Sequence, residues 1–265
     1  MVRGSGLPRF SANISMMFKE YDFLARFKIA NDCGFGAVEI QFPYDFLPND
    51  LLAVKENTGM EISVINVGVG DLLSGGPGIA AIPGREDLFK VAVEEACRYA
   101  EILQPLNMNV LPGWPPMDQF DRGQCLDVLA NNLRYAADGL SQTGTKVLVE
   151  ACNTYERPGF LIYNSQQAID LIKTVNHKNL AFQYDLYHMQ IMEGNLVNRI
   201  KEIFDHIGHI QFADTPGRHE PGSGEINYPY VFDALDTMGW EGWLGAEYIP
   251  SRPTIETLEW LRSYL

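Results

Sequence analysis

Short apolar runs alternate with stretches of helical spacing from one end of the chain to the other. Read as strands, the short runs fall at residues 9–14, 37–41, 61–66, 108–111, 146–150, 180–185, 207–211 and 243–247. The clearest helix is Glu86–Leu103, where Phe89, Ala92, Val93, Ala96, Ala100 and Leu103 recur at helical spacing before Pro105 stops it. Residues 131–138 belong to a second helix, and residues 255–264 read as a helix that closes the chain. Eight strands, each followed by a helix, predict a parallel sheet with crossovers. Dividing 265 residues by eight leaves about 33 per unit, a normal length for a strand–helix–strand crossover.

The connections separate a barrel from an open sheet. Links from helix to strand are short (33–36, 58–59, 143–145, 176–179 and 239–242), and several carry the glycine that ends a helix in a left-handed turn. Links from strand to helix are long: 67–85 is rich in glycine, 112–122 in proline, and 212–227 mixes both with charges. Long loops on one face of an eight-unit repeat predict an α/β fold, a single (β/α)₈ TIM barrel over residues 9–265, with its site at the C-terminal ends of the strands. An open doubly wound sheet would need a glycine-rich nucleotide fingerprint after the first strand, and Ser11-Ala-Asn-Ile-Ser-Met-Met17 has none. Residues 1–8 hold no apolar run behind Arg3, so they read as a disordered tail and not as a secretory signal.

Composition narrows the function. The net charge of −14 repels phosphate backbones and argues against a nucleic-acid partner. No apolar stretch approaches the roughly 20 residues that span a bilayer, so no membrane is expected. The four cysteines (Cys33, Cys97, Cys125 and Cys152) form no CxxC pair and fit a reducing, cytoplasmic setting. A homo-oligomer is compatible with all of this.

Strands five to eight each end on an oxygen-bearing side chain: Glu150, Asp185, Gln211 and Glu247. In a barrel those ends neighbour one another around one rim. An acidic residue at a single strand end is ordinary loop punctuation; four in succession predict convergence. Three carboxylates and an amide make a hard oxygen site, suited to Mg²⁺ or Mn²⁺. Two glutamates beside such a cation suit proton transfer between adjacent carbons of a small hydroxy-carbonyl compound, with Glu150 and Glu247 as acid and base.

Candidate helpers surround these four. His188 follows the sixth strand and is placed to polarise a substrate oxygen. Arg218, in the loop after the seventh strand, has the planar fork that suits a carboxylate, or would pair with Asp214 or Glu225. Glu156 and Arg157 lie in the loop after the fifth strand, where Glu156 would touch a substrate hydroxyl if the two are not a solvated pair. Asn13 and Asn66 end the first and third strands as polar contacts at the mouth. His209 reads as a hydrogen-bonded core histidine, whereas His177 and His206 sit in links on the far face. Residues 68–84 lack the Gly-Lys-Ser/Thr of a phosphate loop and read as a lid.

From Phe10 to Leu265 the chain resembles the hydroxypyruvate isomerase family, within the xylose-isomerase-like barrels. The resemblance is carried by Phe10-Ser-Ala-Asn-Ile-Ser15, Ala81-Ile-Pro-Gly-Arg85, Asn131-Asn-Leu-Arg-Tyr-Ala-Ala137, Val147-Leu-Val-Glu150, Gln183-Tyr-Asp185 with His188, Gly194-Asn-Leu196, Gly217-Arg218 with Glu220-Pro221, Gly224-Glu-Ile-Asn-Tyr-Pro229 and Gly245-Ala-Glu-Tyr248. It implies Mg²⁺ or a similar cation on Glu150, Asp185, Gln211 and Glu247. It also implies that Glu150 and Glu247 exchange the proton while hydroxypyruvate and 2-hydroxy-3-oxopropanoate (tartronate semialdehyde) interconvert.

Three segments depart from the family pattern: Asn66-Val-Gly-Val-Gly-Asp71, Asn109-Val-Leu-Pro-Gly-Trp114 and Ile249-Pro-Ser-Arg-Pro253. They bear on the substrate, and a 2-oxo-tetronate isomerase acting on four-carbon sugar acids is the first alternative. A ketose 3-epimerase, which usually has histidine in place of Gln211, and a non-catalytic sugar-binding barrel are the others. An apurinic-site endonuclease would need a histidine-rich cluster and a DNA-binding face.

Overall fold

The computed structural model describes residues 8–265. The tail expected at residues 1–8 therefore lies outside the described residues, apart from Pro8. Eight strands, β1 (Arg9–Asn13), β2 (Ala37–Ile40), β3 (Glu61–Asn66), β4 (Asn107–Val110), β5 (Lys146–Glu150), β6 (Leu180–Asp185), β7 (Ile207–Phe212) and β8 (Trp243–Ala246), form one closed barrel in sequence order. Every neighbouring pair is parallel, including β8 with β1. Strand boundaries agree with the apolar runs to within one residue.

Helices α1 (Ala25–Asp32), α2 (Pro48–Thr58), α3 (Glu86–Leu103), α4 (Arg122–Ser141), α5 (Ser165–Val175), α6 (Leu186–Met192), α7 (Leu196–Ile203) and α8 (Tyr228–Met238) connect the strands, two of them between β6 and β7. In α3 the expected stripe is the buried one: Phe89, Val93, Ala96, Ala100 and Leu103 face the barrel. The closing helix expected at residues 255–264 is instead two 3₁₀ segments, Thr254–Thr257 and Glu259–Tyr264. Side-chain bonds anchor the first of these segments to the loop after β1. Thr254 Oγ1 accepts from Phe18 N at 2.8 Å, and its own N–H donates to Glu20 Oε1 at 2.7 Å. Among the described residues no helix is long and apolar enough to cross a membrane.

The main core lies between the strands and the helices, with Phe10, Val38, Ile62, Val149, Phe182, Tyr184, Phe212 and Leu244 contributed by the sheet. Among the described residues, Val64, Leu148 and Ala181 form a separate small apolar cluster. Buried polar strand residues include Ser11, Asn13, Glu39, Ser63, Asn109, Glu150, Gln183, Asp185, His209 and Gln211. Branched apolar residues usually fill the interior of such a barrel. Burying this many polar groups carries a desolvation cost unless each is partnered, so the barrel interior is where function is to be sought. Two register shifts, between Val38 and Glu39 and between Phe182 and Gln183, occur beside two of these polar residues. Such irregularities re-aim side chains.

Candidate active site

Glu150 ends β5, Asp185 ends β6, and Glu247 directly follows β8. Carboxylate oxygens of the three lie within 4.8 Å of one another, and all three residues are buried. Gln211 comes from β7, paired with Asp185 on one side and Gly245 on the other. Glu150, Asp185 and Glu247 thus surround one point, and Gln211 stands on the strand between the last two.

Donors crowd these acids. Glu150 Oε2 accepts from Asn109 Nδ2 at 2.7 Å and from Gln183 Nε2 at 2.9 Å; its Oε1 makes neither bond. Glu247 Oε1 accepts from Asn13 Nδ2 at 3.0 Å and Gln41 Nε2 at 2.9 Å, while Oε2 takes Arg218 Nη2 at 2.5 Å. Arg218 Nη2 is also 3.4 Å from Asp185 Oδ2. Asp185 Oδ1 accepts from Tyr187 N at 2.9 Å at the start of α6.

Burial pushes all three carboxyls above their ordinary range. Glu150 rises well above it, with Glu247 and Asp185 adding to the effect of burial. For Asp185 and Glu247 the Arg218 guanidinium opposes the rise. Burial alone would lower Arg218, but Glu247, Asp185 and Glu150 hold it above its ordinary value, so it stays charged.

The loop after β7 delivers that arginine. Asp214 accepts backbone N–H groups from Thr215, Gly222, Gly224 and Ile226 at 2.9–3.1 Å, which folds the loop around it. At φ 57° Arg218 itself sits in the left-handed region, uncommon for a non-glycine residue and typical of functional turns. Its carbonyl accepts Ile249 N at 2.7 Å, tying the loops after β7 and β8 together. Neither sequence-level partner is used: Asp214 is taken by the backbone, and Glu225 accepts from Gln190 Nε2 at 3.1 Å.

Burial drives the His188 pKa well below its ordinary value, with Arg218 and Arg157 adding to the effect, so the ring is neutral. Its tautomer follows from one contact. Asn153 N–H, which can only donate, points at Nδ1 at 3.2 Å, so the proton resides on Nε2. Nε2 lies 3.5 Å from Asp185 Oδ2 and 3.9 Å from Glu150 Oε1. His188 therefore presents a hydrogen-bond donor to the site. A second grouping, Glu150, Cys152 and His188, also brings metal-type atoms together. With Nε2 protonated and the Cys152 thiol pushed up by burial and Glu150, it is the poorer cation site.

A cavity of about 140 Å³ opens onto these groups. Gln41, Asn66, Glu150, His188, Arg218 and Glu247 give it a polar face, and Leu72, Leu73, Leu111, Trp114 and Phe160 an apolar wall. Leu111 and Trp114 lie in a segment that departs from the family pattern, and Leu72 and Leu73 directly follow another. The stretch expected as a lid is pinned by Asp71, whose carboxylate accepts Arg85 Nη1 at 2.8 Å and Gly78 N at 3.0 Å.

Of the expected helpers, Asn66, His188 and Arg218 line the cavity. Asn13 stands behind Glu247. Glu156 does not line the cavity: it accepts from Tyr187 Oη at 2.6 Å and Asn153 Nδ2 at 3.2 Å, and its neighbour Arg157 faces the space instead.

Several site residues have no counterpart among the sequence candidates: Gln41, Asn109, Gln183 acting on Glu150, and above all Glu39. Gln41 ends its apolar run as the four ligand candidates end theirs, so the same signal pointed to it. Glu39 interrupts Ala37-Val-Glu-Ile40, and a lone charge inside an apolar strand was a legible sign.

Three oxygen-bearing acids within 4.8 Å, with Gln211 beside them and a guanidinium drawn to two of the three, form a hard, negative donor set into which a divalent cation fits.

Comparison with known proteins shows the family. A profile of the xylose isomerase-like TIM barrel family matches residues 27–264. The hydroxypyruvate isomerase of Escherichia coli is 45% identical over 256 residues, covering 97% of this chain and 99% of that protein. A 2-oxo-tetronate isomerase from Cupriavidus necator is 40% identical, covering 98% and 99%. Among solved structures, one from Brucella melitensis titled "AP endonuclease, family 2" superposes with a TM-score of 0.94 at 41% identity, covering 97% of this chain and 99% of that one.

Proposed function

The chain belongs to the xylose isomerase-like TIM-barrel family and is an isomerase of the hydroxypyruvate isomerase type, and from that premise we propose that it interconverts hydroxypyruvate and 2-hydroxy-3-oxopropanoate by proton transfer between Glu150 and Glu247. The observation that carries this reading is the convergence of Glu150, Asp185 and Glu247 at one point, with both glutamates lining the cavity.

Glu150, Asp185, Gln211 and Glu247 would hold a divalent cation, Mg²⁺ or Mn²⁺. When bound, it supplies positive charge against the oxygen that turns negative in the enediolate, a contribution of several kcal/mol. Glu247, held by Asn13, Gln41 and Arg218, remains the carboxylate. It removes a proton from the hydroxyl-bearing carbon of hydroxypyruvate, and the electron pair moves to form the enediolate. Glu150, whose Oε1 is free of the Asn109 and Gln183 bonds, delivers a proton to the adjacent carbon, while the hydroxyl proton passes from the C3 oxygen to the C2 oxygen and leaves C3 as the aldehyde. The reverse reaction exchanges these roles.

His188 donates its Nε2 proton as a hydrogen bond to a substrate oxygen, and Asn66 borders the same space. Arg157 and Arg218 are the positive side chains lining the cavity, and both are available to the substrate carboxylate. Glu156 acts one step removed, through Tyr187 and Asn153. Four free cysteines accord with a cytoplasmic setting.

The four-carbon reading is favoured by one specific observation, the 40% identity to a 2-oxo-tetronate isomerase. A panel of three- to five-carbon 2-oxo and aldehydo acids, with neutral ketoses beside them, assayed before and after chelation, separates the possibilities. Hydroxypyruvate should be isomerised fastest, with activity abolished by chelation and restored by Mg²⁺ or Mn²⁺. Preference for the four-carbon acid selects the tetronate reading. Full activity in a demonstrably metal-free sample contradicts the cation's role, and turnover confined to neutral ketoses contradicts the acid substrate.

A further inference from the structure

Glu39 is fully buried on β2, yet it reaches across the barrel to β7. Its Oε1 contacts His209 Nε2 at 2.5 Å, and its Oε2 accepts from Gln211 Nε2 at 2.8 Å and Asn13 Nδ2 at 3.2 Å. Space for this crossing exists because Gly245 has no side chain: a Cβ built there would overlap Glu39 Oε1.

The orientation of each amide in this set can be derived from one backbone group. Ser15 N–H, which can only donate, points at Asn13 Oδ1 at 3.2 Å. The other end of Asn13 is therefore the NH₂, and Glu39 Oε2, facing it, is an acceptor. The end of Gln211 facing the same Oε2 must then be its NH₂ as well. Gln211 Oε1 is left pointing the other way, where it accepts from Gln183 Nε2 at 2.6 Å, the same nitrogen that donates to Glu150 Oε2. One amide hydrogen-bond bridge thus joins the Gln211 oxygen to the acid cluster.

We propose that Glu39 is a positioning residue that locks the Gln211 side chain with its nitrogen inward and its oxygen toward the Glu150, Asp185 and Glu247 cluster. An amide can present oxygen or nitrogen to a cation, and only the oxygen is a ligand. By accepting from the nitrogen, Glu39 makes Gln211 an obligate oxygen donor. Through Asn13 the same carboxylate also orients a hydrogen-bond donor at Glu247 Oε1. This rests on the cation site proposed above, where groups that orient ligands typically contribute 10- to 100-fold in metal affinity.

The test is Mn²⁺ binding, read by calorimetry and electron paramagnetic resonance on the full chain, with thermal midpoints of the chelated proteins recorded alongside. Glu39→Gln keeps the shape but offers both donor and acceptor, so the Gln211 amide is free to turn over. It should bind Mn²⁺ about 10- to 100-fold more weakly than wild type. Gly245→Ala, which displaces the Glu39 carboxylate without altering any charge, should give a loss in the same direction.

Rescue identifies the cause. Adding Gln211→Glu to Glu39→Gln should recover most of the affinity, because a carboxylate has no wrong face to turn; a purely structural role for Glu39 predicts no such recovery. Wild-type affinity in Glu39→Gln, or failure of the folded double variant to recover, overturns the proposal. If neither Glu39→Gln nor Gly245→Ala folds, a high-resolution crystal structure of wild type with Mn²⁺ decides: Glu39 still bonded to the Gln211 nitrogen supports the assignment, and Glu39 parted from it overturns it. Absence of any Mn²⁺ binding by wild type would instead remove the cation site itself.

Discussion

Glu150→Gln and Glu247→Gln should each lower kcat for hydroxypyruvate by at least the roughly 10²–10⁴-fold that general acid–base catalysis contributes. The amide preserves volume, and its one oxygen can still accept both bonds made to Glu150 Oε2, or the Asn13 and Gln41 bonds to Glu247 with loss of the Arg218 bond, but it cannot take up a proton. Because both residues are also proposed cation ligands, metal content has to be measured beside the rates. Asp185→Asn supplies the comparison: Asp185 is a proposed ligand with no proton to carry, so its loss should follow metal loss and be relieved by excess Mn²⁺. Relief of that kind should not return Glu150→Gln or Glu247→Gln to normal. Near-normal turnover in either variant, with metal retained, would show that the glutamate in question does not carry the proton.

Arg218→Ala should produce the second large effect, and in two separable ways. The guanidinium lies 2.5 Å from Glu247 and 3.4 Å from Asp185, with side-chain exposures of 11%, 7% and 1% for the three groups. Removing one partner of a buried pair typically costs about 3–5 kcal/mol, since the remaining charge is left uncompensated. The thermal midpoint of the chelated protein should fall accordingly, and Mg²⁺ or Mn²⁺ should recover part of the loss by compensating the same carboxylates.

In catalysis, loss of a charge-assisted hydrogen bond predicts a drop of about ten- to a hundred-fold or more in kcat/KM, concentrated on carboxylate-bearing substrates. Arg218→Lys should restore only part, because an ammonium lacks the planar fork that holds a carboxylate through two parallel bonds. Equal losses on charged and uncharged substrates, with an unchanged midpoint, would mean that Arg218 only orders the loop between β7 and β8.

How much of this was legible in the sequence depended on where the information lay. The barrel was readable because strand runs and asymmetric loop lengths are local features. Glu150, Asp185, Gln211 and Glu247 were readable because strand ends in a closed barrel are neighbours whatever the details of register. The layer behind them was less accessible. Gln183 and His209 follow from simple alternation along β6 and β7. The partners that they and Gln211 reach on β2 and β5 depend on which strands face each other across the interior and on the register shifts at Val38/Glu39 and Phe182/Gln183. Glu39 acts at Gln211 from 172 positions away in sequence. Arg218 was read as a fork for a carboxylate, with Asp214 or Glu225 as alternative partners, and only that alternative fails. Sequence proximity misled there because the Gly222, Gly224 and Ile226 amides claim Asp214. The closing 3₁₀ segments look helical in composition, and the bonds that tie Thr254 to Phe18 and Glu20 span 236 and 234 positions in sequence.

The central claim is that a proton leaves one carbon of the substrate and another arrives at its neighbour, with Glu150 and Glu247 as carriers. The most direct measurement is turnover of hydroxypyruvate in D₂O by the Mg²⁺- or Mn²⁺-loaded protein, followed by NMR. Two-glutamate transfer predicts deuterium at the newly protonated carbon of 2-hydroxy-3-oxopropanoate. If the carriers are shielded from solvent, deuterium should instead accumulate slowly in the substrate and product pools held at equilibrium. Conversion that proceeds through many equilibrium turnovers with no deuterium in either compound would contradict the account and indicate a direct hydride shift.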